Sequence, residues 1–241
     1  MRRYGLIGYP LKNSFSLNYF NKKFAAGNID AIYQNFALNN IAELTAIINE
    51  NQDLAGLNVT IPYKQKVIPF LTHLDPIAQA INAVNTIKFK NNQLIGYNTD
   101  YWGFKKSILP LLKEWHQNAL ILGNGGAANA VKYVFDNLGI KYNTVSRNEE
   151  NGLTYGDLDK SILRAHQIII NCTPIGMHPN IEECPNIPYQ YITNLHLVYD
   201  LIYLPEETLF LKKARLNNAI TKNGLSMLEL QAEKAWQIWN E

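Results

Sequence analysis

The chain of 241 residues is poor in several features that would indicate special classes of protein. It has only two cysteines, Cys172 and Cys184, which excludes a disulfide framework. Its five histidines lack the spacing of metal ligands, so we predict no metal site. No apolar run approaches the roughly 18 residues of a membrane span, and MRRYGLIGYP lacks the apolar segment of a signal peptide. A net charge of +2 does not indicate the basic surface of a nucleic-acid-binding protein. We therefore expect a cytoplasmic protein with reduced thiols, binding neither membrane nor nucleic acid.

Short apolar strands alternate with amphipathic helical stretches along almost the whole chain. This alternation predicts an α/β protein with largely parallel sheets. A new series of strands follows a helix predicted over residues 99–113, so we place a domain boundary near residue 100. The expected domains are residues 1–100 and 101–221, with 222–241 returning to the first. The final helix has apolar residues at regular helical spacing and is expected to pack back on the first domain.

The segment ALILGNGGAANA resembles a nucleotide-binding turn. It places Gly123-x-Gly125-x-x-Ala128 directly after an apolar strand and directly before a helical stretch. Gly123 permits a tight turn, Gly125 lets a pyrophosphate approach the backbone, and the helix N-terminus supplies N–H donors. A glycine turn that serves close packing alone is the alternative.

The end of the next strand, TVSRNEE, indicates which nucleotide binds. A dinucleotide without a 2′-phosphate usually meets an Asp or Glu about 20 residues after the glycines. Here Ser146 and Arg147 stand at the strand end, and a guanidinium suits a phosphate dianion. We predict NADP in preference to NAD. Two alternatives remain: Glu149 or Glu150 facing a ribose hydroxyl, and Arg147 as an ordinary surface residue.

Eight motifs, in order, resemble those of the shikimate dehydrogenases over essentially the whole length of the chain. They are GYPLKNSFS (8–16), NVTIPYK (58–64), NAVNT (82–86), GYNTDYWG (96–103), LGNGGAANA (122–130), NCTPIGM (171–177), DLIYLPEETLFL (200–211) and NGLSMLELQA (223–232). The resemblance implies an N-terminal α/β substrate domain and a Rossmann-like NADP-binding domain. It also implies reversible reduction of 3-dehydroshikimate to shikimate, in chorismate and aromatic amino-acid biosynthesis.

The resemblance also implies roles for individual residues. Lys64 and Asp100 match the family's catalytic pair, in which the ammonium would stabilise and protonate a forming alkoxide. The positions that match substrate-binding residues are Ser14, Ser16, Thr60, Lys64, Asn85, Asp100, Tyr203 and Gln231. The positions that match cofactor-binding residues are Gly123, Asn124, Gly125, Gly126, Ala127, Ser146, Arg147, Thr173, Leu201 and Gly224. Lys64 could instead be a surface lysine, and Ser14 and Ser16 could serve as helix caps.

The chain departs from the family pattern at several positions. Leu17 replaces a common proline, and Asn82 replaces a common glycine. Asn124 stands where Ala is frequent in the glycine-rich segment. Asn129 and Asn151 replace residues that are often basic, which we expect to weaken phosphate attraction and soften the preference for NADP.

Two other functions are alternatives to this one. The first is a quinate/shikimate dehydrogenase that uses NAD. The second is a non-catalytic nucleotide-binding protein that senses redox state. The reaction groups Lys64, Asp100 and Gln231 speak against a sensor, because residues so far apart in sequence are jointly useful only for a substrate. The sequence does not distinguish a monomer from a homodimer.

Overall fold

The structure, a computed structural model, describes residues 1–11, 14–147 and 152–241. The described chain forms two compact units. The first unit comprises Met1–Thr99 and Ala232–Glu241, and the second comprises Asp100–Gln231. Each unit contains one six-stranded sheet with helices, which confirms the predicted α/β class.

The first unit is built on a mixed sheet. Its strands are β1 (Arg2–Gly8), β2 (Ala31–Ala37), β3 (Leu54–Val59), β4 (His73–Leu74), β5 (Thr86–Lys90) and β6 (Gln93–Tyr97), in the order β2-β1-β3-β5-β6-β4. β1 is parallel to β2 and β3, whereas β5 is antiparallel to β3 and β6. The antiparallel pair departs from the expected parallel sheet. Only Asn91 and Asn92, both with positive φ, join β5 to β6, and a two-residue connection permits antiparallel pairing alone.

The helices of the first unit account for two departures from the family pattern. They are α1 (Phe15–Ala26), α2 (Leu44–Glu50) and α3 (Pro76–Ile81). The Ser14 hydroxyl oxygen accepts the Leu17 backbone N–H at 3.1 Å and caps α1. A proline at position 17 would lack that donor. α3 ends at Asn82, whose φ of 54° is left-handed, and asparagine tolerates this conformation better than other non-glycine residues.

The C-terminal half of the last helix, α8 (Leu225–Asn240), completes the core of the first unit. Ala232, Ala235 and Trp239 lie in one buried cluster with aromatic side chains from β1, α1 and β2. The Trp239 indole N–H donates to the carbonyl oxygen of Ile87 at 3.0 Å. The indole lies so close to Gly56 that a Cβ at that position would collide with it. The strand therefore needs glycine there.

An ion pair also attaches α8 to α1. Lys23 Nζ lies 2.7 and 2.8 Å from the two carboxylate oxygens of Glu233, and the Tyr19 hydroxyl donates to the same carboxylate. Burial alone would raise the pKa of Glu233, but the hydrogen bonds from Lys23 and Tyr19 outweigh it and lower that pKa. Glu233 therefore stays ionised at neutral pH. This arrangement agrees with the expectation that the final helix packs on the first domain.

The second unit has a wholly parallel sheet. Its strands are β7 (Asn118–Leu122), β8 (Lys141–Ser146), β9 (Leu153–Thr154), β10 (Ile168–Asn171), β11 (Leu197–Asp200) and β12 (Ile220–Lys222), in the order β12-β11-β10-β7-β8-β9. Its own helices are α4 (Asp100–Ile108), α5 (Gly126–Leu138), α6 (Lys160–Ala165) and α7 (Leu209–Leu216). The strand order is that of the Rossmann fold, with the change of direction between β7 and β10. The predicted Rossmann-like domain is confirmed.

Both faces of this sheet are covered. Ala119 and Ile121 of β7 belong to one buried cluster, whereas Leu120 and Leu122 belong to another. Such continuous apolar strands are typical of parallel sheets packed on both sides. The helix predicted over 99–113 is shorter than expected, since α4 ends at Ile108 and a 3₁₀ turn containing Pro110 follows. In the part of the chain that the structure describes, no helix is both long and apolar enough to cross a bilayer.

Two tyrosines of the first core allow a matched test of buried hydroxyl groups. Tyr4 and Tyr33 are both fully buried in the same aromatic cluster. The Tyr33 hydroxyl donates to Asn58 Oδ1 at 2.8 Å. The Tyr4 hydroxyl has no hydrogen-bond partner among residues 1–11, 14–147 and 152–241.

We predict opposite effects of removing these hydroxyls. Tyr4→Phe should leave the free energy of unfolding unchanged or raise it by up to about 1 kcal/mol, because an unpaired buried hydroxyl only loses hydration. Tyr33→Phe should lower it by about 1–3 kcal/mol, because Asn58 loses its donor. Urea unfolding of both variants measures the difference. Equal destabilisation by the two substitutions would contradict this account.

Candidate active site

The turn after β3 carries Lys64. Tyr63 N–H donates to the carbonyl oxygen of Thr60 at 2.9 Å, and the buried Tyr63 side chain anchors the turn. Lys64 follows and is half-buried. Its carbonyl oxygen accepts the Val84 N–H at 2.7 Å, which places the backbone of Lys64 beside the segment that carries Asn85. Three predicted site residues, Thr60, Lys64 and Asn85, are thus brought together within the first unit.

A buried hydrogen-bond network holds Asn85, another predicted residue of this unit. The Tyr33 hydroxyl donates to Asn58 Oδ1 at 2.8 Å. Asn58 Nδ2 donates to the carbonyl oxygen of Asn85 at 3.2 Å, and Asn85 Oδ1 accepts the Thr99 N–H at 2.6 Å. Burial raises the pKa of Tyr33 well above its ordinary value, so its hydroxyl remains a donor. The hydrogen bond of Tyr33 is not predictable from the sequence, because an aromatic residue in a strand usually indicates packing alone.

The Ser14 side chain caps α1 and keeps a hydrogen-bond donor. Its hydroxyl oxygen accepts the Leu17 N–H, which caps α1. The same hydroxyl still has a proton to donate, because a serine side chain is both acceptor and donor. Helix capping therefore does not exclude the predicted contact with a substrate carboxylate.

The carboxyl ends of the strands meet at one edge of the second sheet. Leu122 of β7 pairs with Val145 of β8 and with Asn171 of β10, and Asn171 pairs with Asp200 of β11. The segments just beyond these ends contain most of the predicted cofactor-binding residues: Gly123, Asn124, Gly125, Gly126, Ala127, Ser146, Arg147, Thr173 and Leu201. Gly224 joins them, since its N–H donates to the carbonyl oxygen of Ile202 at 3.0 Å.

The glycine turn fits a dinucleotide. Gly123 has a φ of +101°, and a Cβ added there would lie 2.9 Å from Thr173 Cγ2. A Cβ added at Gly125 would meet no heavy atom within 4 Å, so the backbone there is open to a ligand. The turn leads into α5, a helix of 13 residues whose N-terminal N–H groups and dipole favour phosphate.

Positive charge is present beside this turn. Arg147 is exposed at the end of β8, and its charge partly opposes the burial that raises the pKa of Tyr155. Lys132 Nζ donates to Asn124 Oδ1 at 2.5 Å, and burial lowers the pKa of Lys132. Lys132 was not among the predicted residues, although side chains on a helix point toward its N-terminus and a lysine in the second turn can reach back. Residues 149–151, which bear on NADP preference, lie outside the described ranges.

Asp100, Tyr203 and Gln231 belong to the second unit. Asp100 is buried at the first position of α4, where the helix dipole favours a carboxylate. Gln231 is buried on α8, and α8 approaches α4 so closely that a Cβ at Gly103 would collide with the carbonyl oxygen of Met227. Asp100 and Gln231 thus lie on neighbouring helices. Tyr203 follows β11 and is half-buried, which raises the pKa of its hydroxyl.

A buried polar cluster lies beneath the edge of the second sheet where the predicted cofactor-binding residues stand, which we call the cofactor edge. No motif in the sequence predicts this cluster. Asp200 Oδ1 accepts hydrogen bonds from Asn171 Nδ2 and from the Ile202 N–H, both at 3.0 Å. Asp200 Oδ2 accepts the Thr208 hydroxyl at 2.7 Å. Asn171 Oδ1 in turn accepts the N–H and the hydroxyl of Thr173, at 3.0 and 2.6 Å. Burial raises the pKa of Asp200 to about 6, against the opposing effect of its hydrogen bonds.

Metal and thiol chemistry have no support in the described residues. Among residues 1–11, 14–147 and 152–241, no three His, Cys, Asp or Glu side chains are grouped to hold a metal ion. Cys172 and Cys184 are both free thiols. Burial raises the pKa of Cys172 far above its ordinary value, so it remains a neutral thiol. Cys172 packs against the buried cluster on one face of the second sheet.

The raised pKa of Asp200 predicts a pH dependence of stability. Between pH 3.8, its ordinary pKa, and about pH 6, the folded protein keeps a proton on Asp200 that the unfolded chain has lost. The contribution of Asp200 to the free energy of unfolding therefore falls as pH rises through this window, by on the order of 3 kcal/mol at most. Asp200→Asn does not titrate. Urea unfolding of both proteins at about pH 4, 5, 6 and 7 should show the wild type losing stability relative to the variant, and a constant difference would contradict the prediction.

Comparison with known proteins supplies the family. Residues 6–87 match the model of the shikimate dehydrogenase substrate binding domain. The NADP(+) shikimate dehydrogenase of Desulforamulus reducens is 36% identical, over 98% of this chain and 88% of the relative. The crystal structure of shikimate dehydrogenase from Aquifex aeolicus has a TM-score of 0.90 and 34% identity, covering 100% of this chain and 92% of that one. The enzyme from Thermus thermophilus in complex with NADP(H) and shikimate has a TM-score of 0.88 and 25% identity, covering 99% and 93%. With such likeness along almost its entire length, the chain belongs to the shikimate dehydrogenase family.

Proposed function

We propose that this chain is an NADP-dependent shikimate dehydrogenase. It reversibly reduces 3-dehydroshikimate to shikimate in chorismate and aromatic amino-acid biosynthesis. The observation that carries the proposal is the full-length likeness to NADP-dependent shikimate dehydrogenases. The positions that match the family's proton-transferring and carboxylate-binding residues are retained, whereas Asn129 and Asn151 stand where the family often has basic residues near the phosphates.

Lys64 is the general acid and base. In the reductive direction its ammonium stabilises the alkoxide that develops on the ring oxygen and then protonates it. In the oxidative direction the amine takes the proton of the substrate hydroxyl. Asp100 matches the second member of the family's catalytic pair. NADP, when bound, supplies the hydride chemistry of the reaction.

Further side chains bind the substrate's other groups. Ser14, Ser16 and Tyr203 donate hydrogen bonds to the carboxylate, Thr60, Asn85 and Asp100 bind ring hydroxyls, and Gln231 makes a further contact with the substrate. Asn85 belongs to the buried network with Tyr33 and Asn58. Because that network holds Asn85 before substrate arrives, binding orders fewer side chains.

The cofactor is held at the edge of the second sheet. The backbone of residues 123–127 binds the pyrophosphate, and Arg147 binds the 2′-phosphate. Thr173, Leu201 and Gly224 line the nicotinamide side, and Ser146 lies beside the ribose. Lys132 offsets the missing basic residue at position 129, because its ammonium lies at the same turn.

The first test addresses Lys64. We expect Lys64→Ala to lower kcat by roughly 10²- to 10⁴-fold, with a smaller change in KM, because general acid–base catalysis is lost. Lys66→Ala, two residues further on and exposed, is the matched control and should keep wild-type kcat. Spectrophotometric assay of shikimate oxidation with NADP gives both constants. Wild-type turnover by the Lys64 variant would refute its assigned role.

The second test addresses cofactor choice. Arg147→Ala should raise KM for NADP by about 10- to 100-fold and change KM for NAD less than about twofold, since only NADP carries the 2′-phosphate. Arg164→Ala, an exposed arginine at the end of α6, is the control. The wild type should prefer NADP over NAD and shikimate over quinate. A clear preference for NAD would support the quinate/shikimate alternative and overturn the role of Arg147.

A few further points depend on solution measurements. Binding of NADPH without any shikimate-dependent turnover would favour a redox sensor over an enzyme. We also place the protein in the cytoplasm, where the two free thiols would stay reduced. Light scattering of the purified chain distinguishes a monomer from the homodimer that we also consider.

A further inference from the structure

Asp200 lies at the centre of the buried cluster beneath the cofactor edge. Asp200, Asn171 and Thr208 each have 0% exposed surface. The carboxylate accepts hydrogen bonds from a side-chain amide, a backbone N–H and a hydroxyl, and each of these donors is uncharged. A buried carboxylate held by neutral donors alone is expensive to keep, which indicates a purpose beyond packing.

The carboxylate determines the orientation of the Asn171 amide. An ionised carboxylate only accepts hydrogen bonds, so it requires Asn171 to present its NH2 group. Asn171 Nδ2 also donates to the carbonyl oxygen of Ile175 at 3.3 Å. The amide oxygen must then face Thr173, whose N–H and hydroxyl both donate to it. If the Asn171 amide were flipped, its NH2 group would face the Thr173 N–H, which is also a donor, and the hydrogen bond would be lost.

Thr173 transmits this orientation to the glycine turn. Its Cγ2 lies against Gly123, where an added Cβ would be only 2.9 Å away. The chain of contacts from Asp200 through Asn171 therefore ends at two residues of the proposed cofactor site, Thr173 and Gly123.

A second branch from Asp200 reaches the other side of the same site. Asp200 Oδ1 accepts the Ile202 N–H, which fixes the chain just beyond β11. The carbonyl oxygen of Ile202 accepts the Gly224 N–H at 3.0 Å, and the carbonyl oxygen of Leu201 lies where a Cβ of Gly224 would be. The Asp200 carboxylate thus fixes the positions of Leu201 and Gly224 through the backbone of Ile202.

We propose that Asp200 is a positioning residue for the cofactor, which holds Asn171 and the segment after β11 so that Thr173, Leu201 and Gly224 keep their places around the nicotinamide half of NADP. Asp200 itself does not touch the cofactor. The proposal rests on the proposed function, because it concerns how NADP is held in that enzyme.

Binding of NADPH to the full-length protein, followed by the fluorescence of the reduced cofactor, tests this role directly. Asp200→Ala removes the acceptor, and Asn171→Ala removes the link to Thr173. Each should raise Kd for NADPH by about 10-fold or more, because small misplacements of binding groups are costly. The double variant should be little weaker than either single variant, since both interrupt one chain of contacts.

Two further variants separate positioning from general destabilisation. Asp200→Asn keeps an Oδ1 that can accept from both Asn171 and Ile202, so Kd should stay within about threefold of wild type. Ser107→Ala removes the 2.7 Å hydrogen bond between Ser107 and Tyr199, the residue before Asp200 on β11. This control should lower the melting temperature and leave Kd for NADPH within about twofold of wild type.

The outcomes divide clearly. Wild-type affinity for NADPH in Asp200→Ala or Asn171→Ala, whatever their melting temperatures, would overturn the positioning role. If Asp200→Ala fails to fold, Asn171→Ala gives the decision, with Asp200→Asn as its conservative counterpart. A wild type that binds NADPH but does not oxidise shikimate would sink the proposed function and leave this comparison interpretable. A wild type that binds no NADPH would overturn both.

Discussion

Polar groups at the carboxyl ends of the buried strands set the main physical constraint on this molecule. Within a strand, backbone N–H and C=O groups pair with neighbouring strands, but groups beyond the last residue need other partners inside the protein. Asn58 and Asn85 provide them in the first unit, and Asn171 and Asp200 provide them in the second. The loops fixed in this way carry the proposed site residues. The same side chains therefore satisfy the backbone hydrogen bonds of these loops and fix the positions of the proposed site residues.

The two units solve this problem with different chemistry. In the first, amides and the Tyr33 hydroxyl act as both donors and acceptors, so the network is uncharged. In the second, Asp200 is an acceptor alone and bears the cost of burial, as its raised pKa shows. The carboxylate fixes the orientation of the groups around it, because each of them must donate a hydrogen bond to it. An asparagine in its place could accept from Asn171 and Ile202 in only one of its two amide orientations.

Local patterns in the sequence predicted the class of fold and the Rossmann unit, because the glycine turn, the apolar strands and the helices are contiguous in the chain. Strand direction was harder, since the alternation of side chains is the same in parallel and antiparallel strands. The Asn91-Asn92 pair was the local indication of a hairpin, and Pro110 was the indication that the helix from residue 100 would end early.

The role proposed for Asp200 could not be predicted from the sequence, because it depends on the pairing of Asp200 with Asn171, 29 residues away. Lys64 was identified by resemblance, whereas its backbone bond to Val84 required the structure.

The position of Trp239 over Gly56 bears on how the protein is made. The ribosome synthesises the chain from its N-terminus, and domains generally fold as they emerge. The second unit is one continuous segment, Asp100–Gln231, and has all its strands before the final ten residues exist. The first unit emerges earlier but keeps an open aromatic surface until Ala232–Glu241 are added. The half of the enzyme that is translated first is thus the half whose core is completed last.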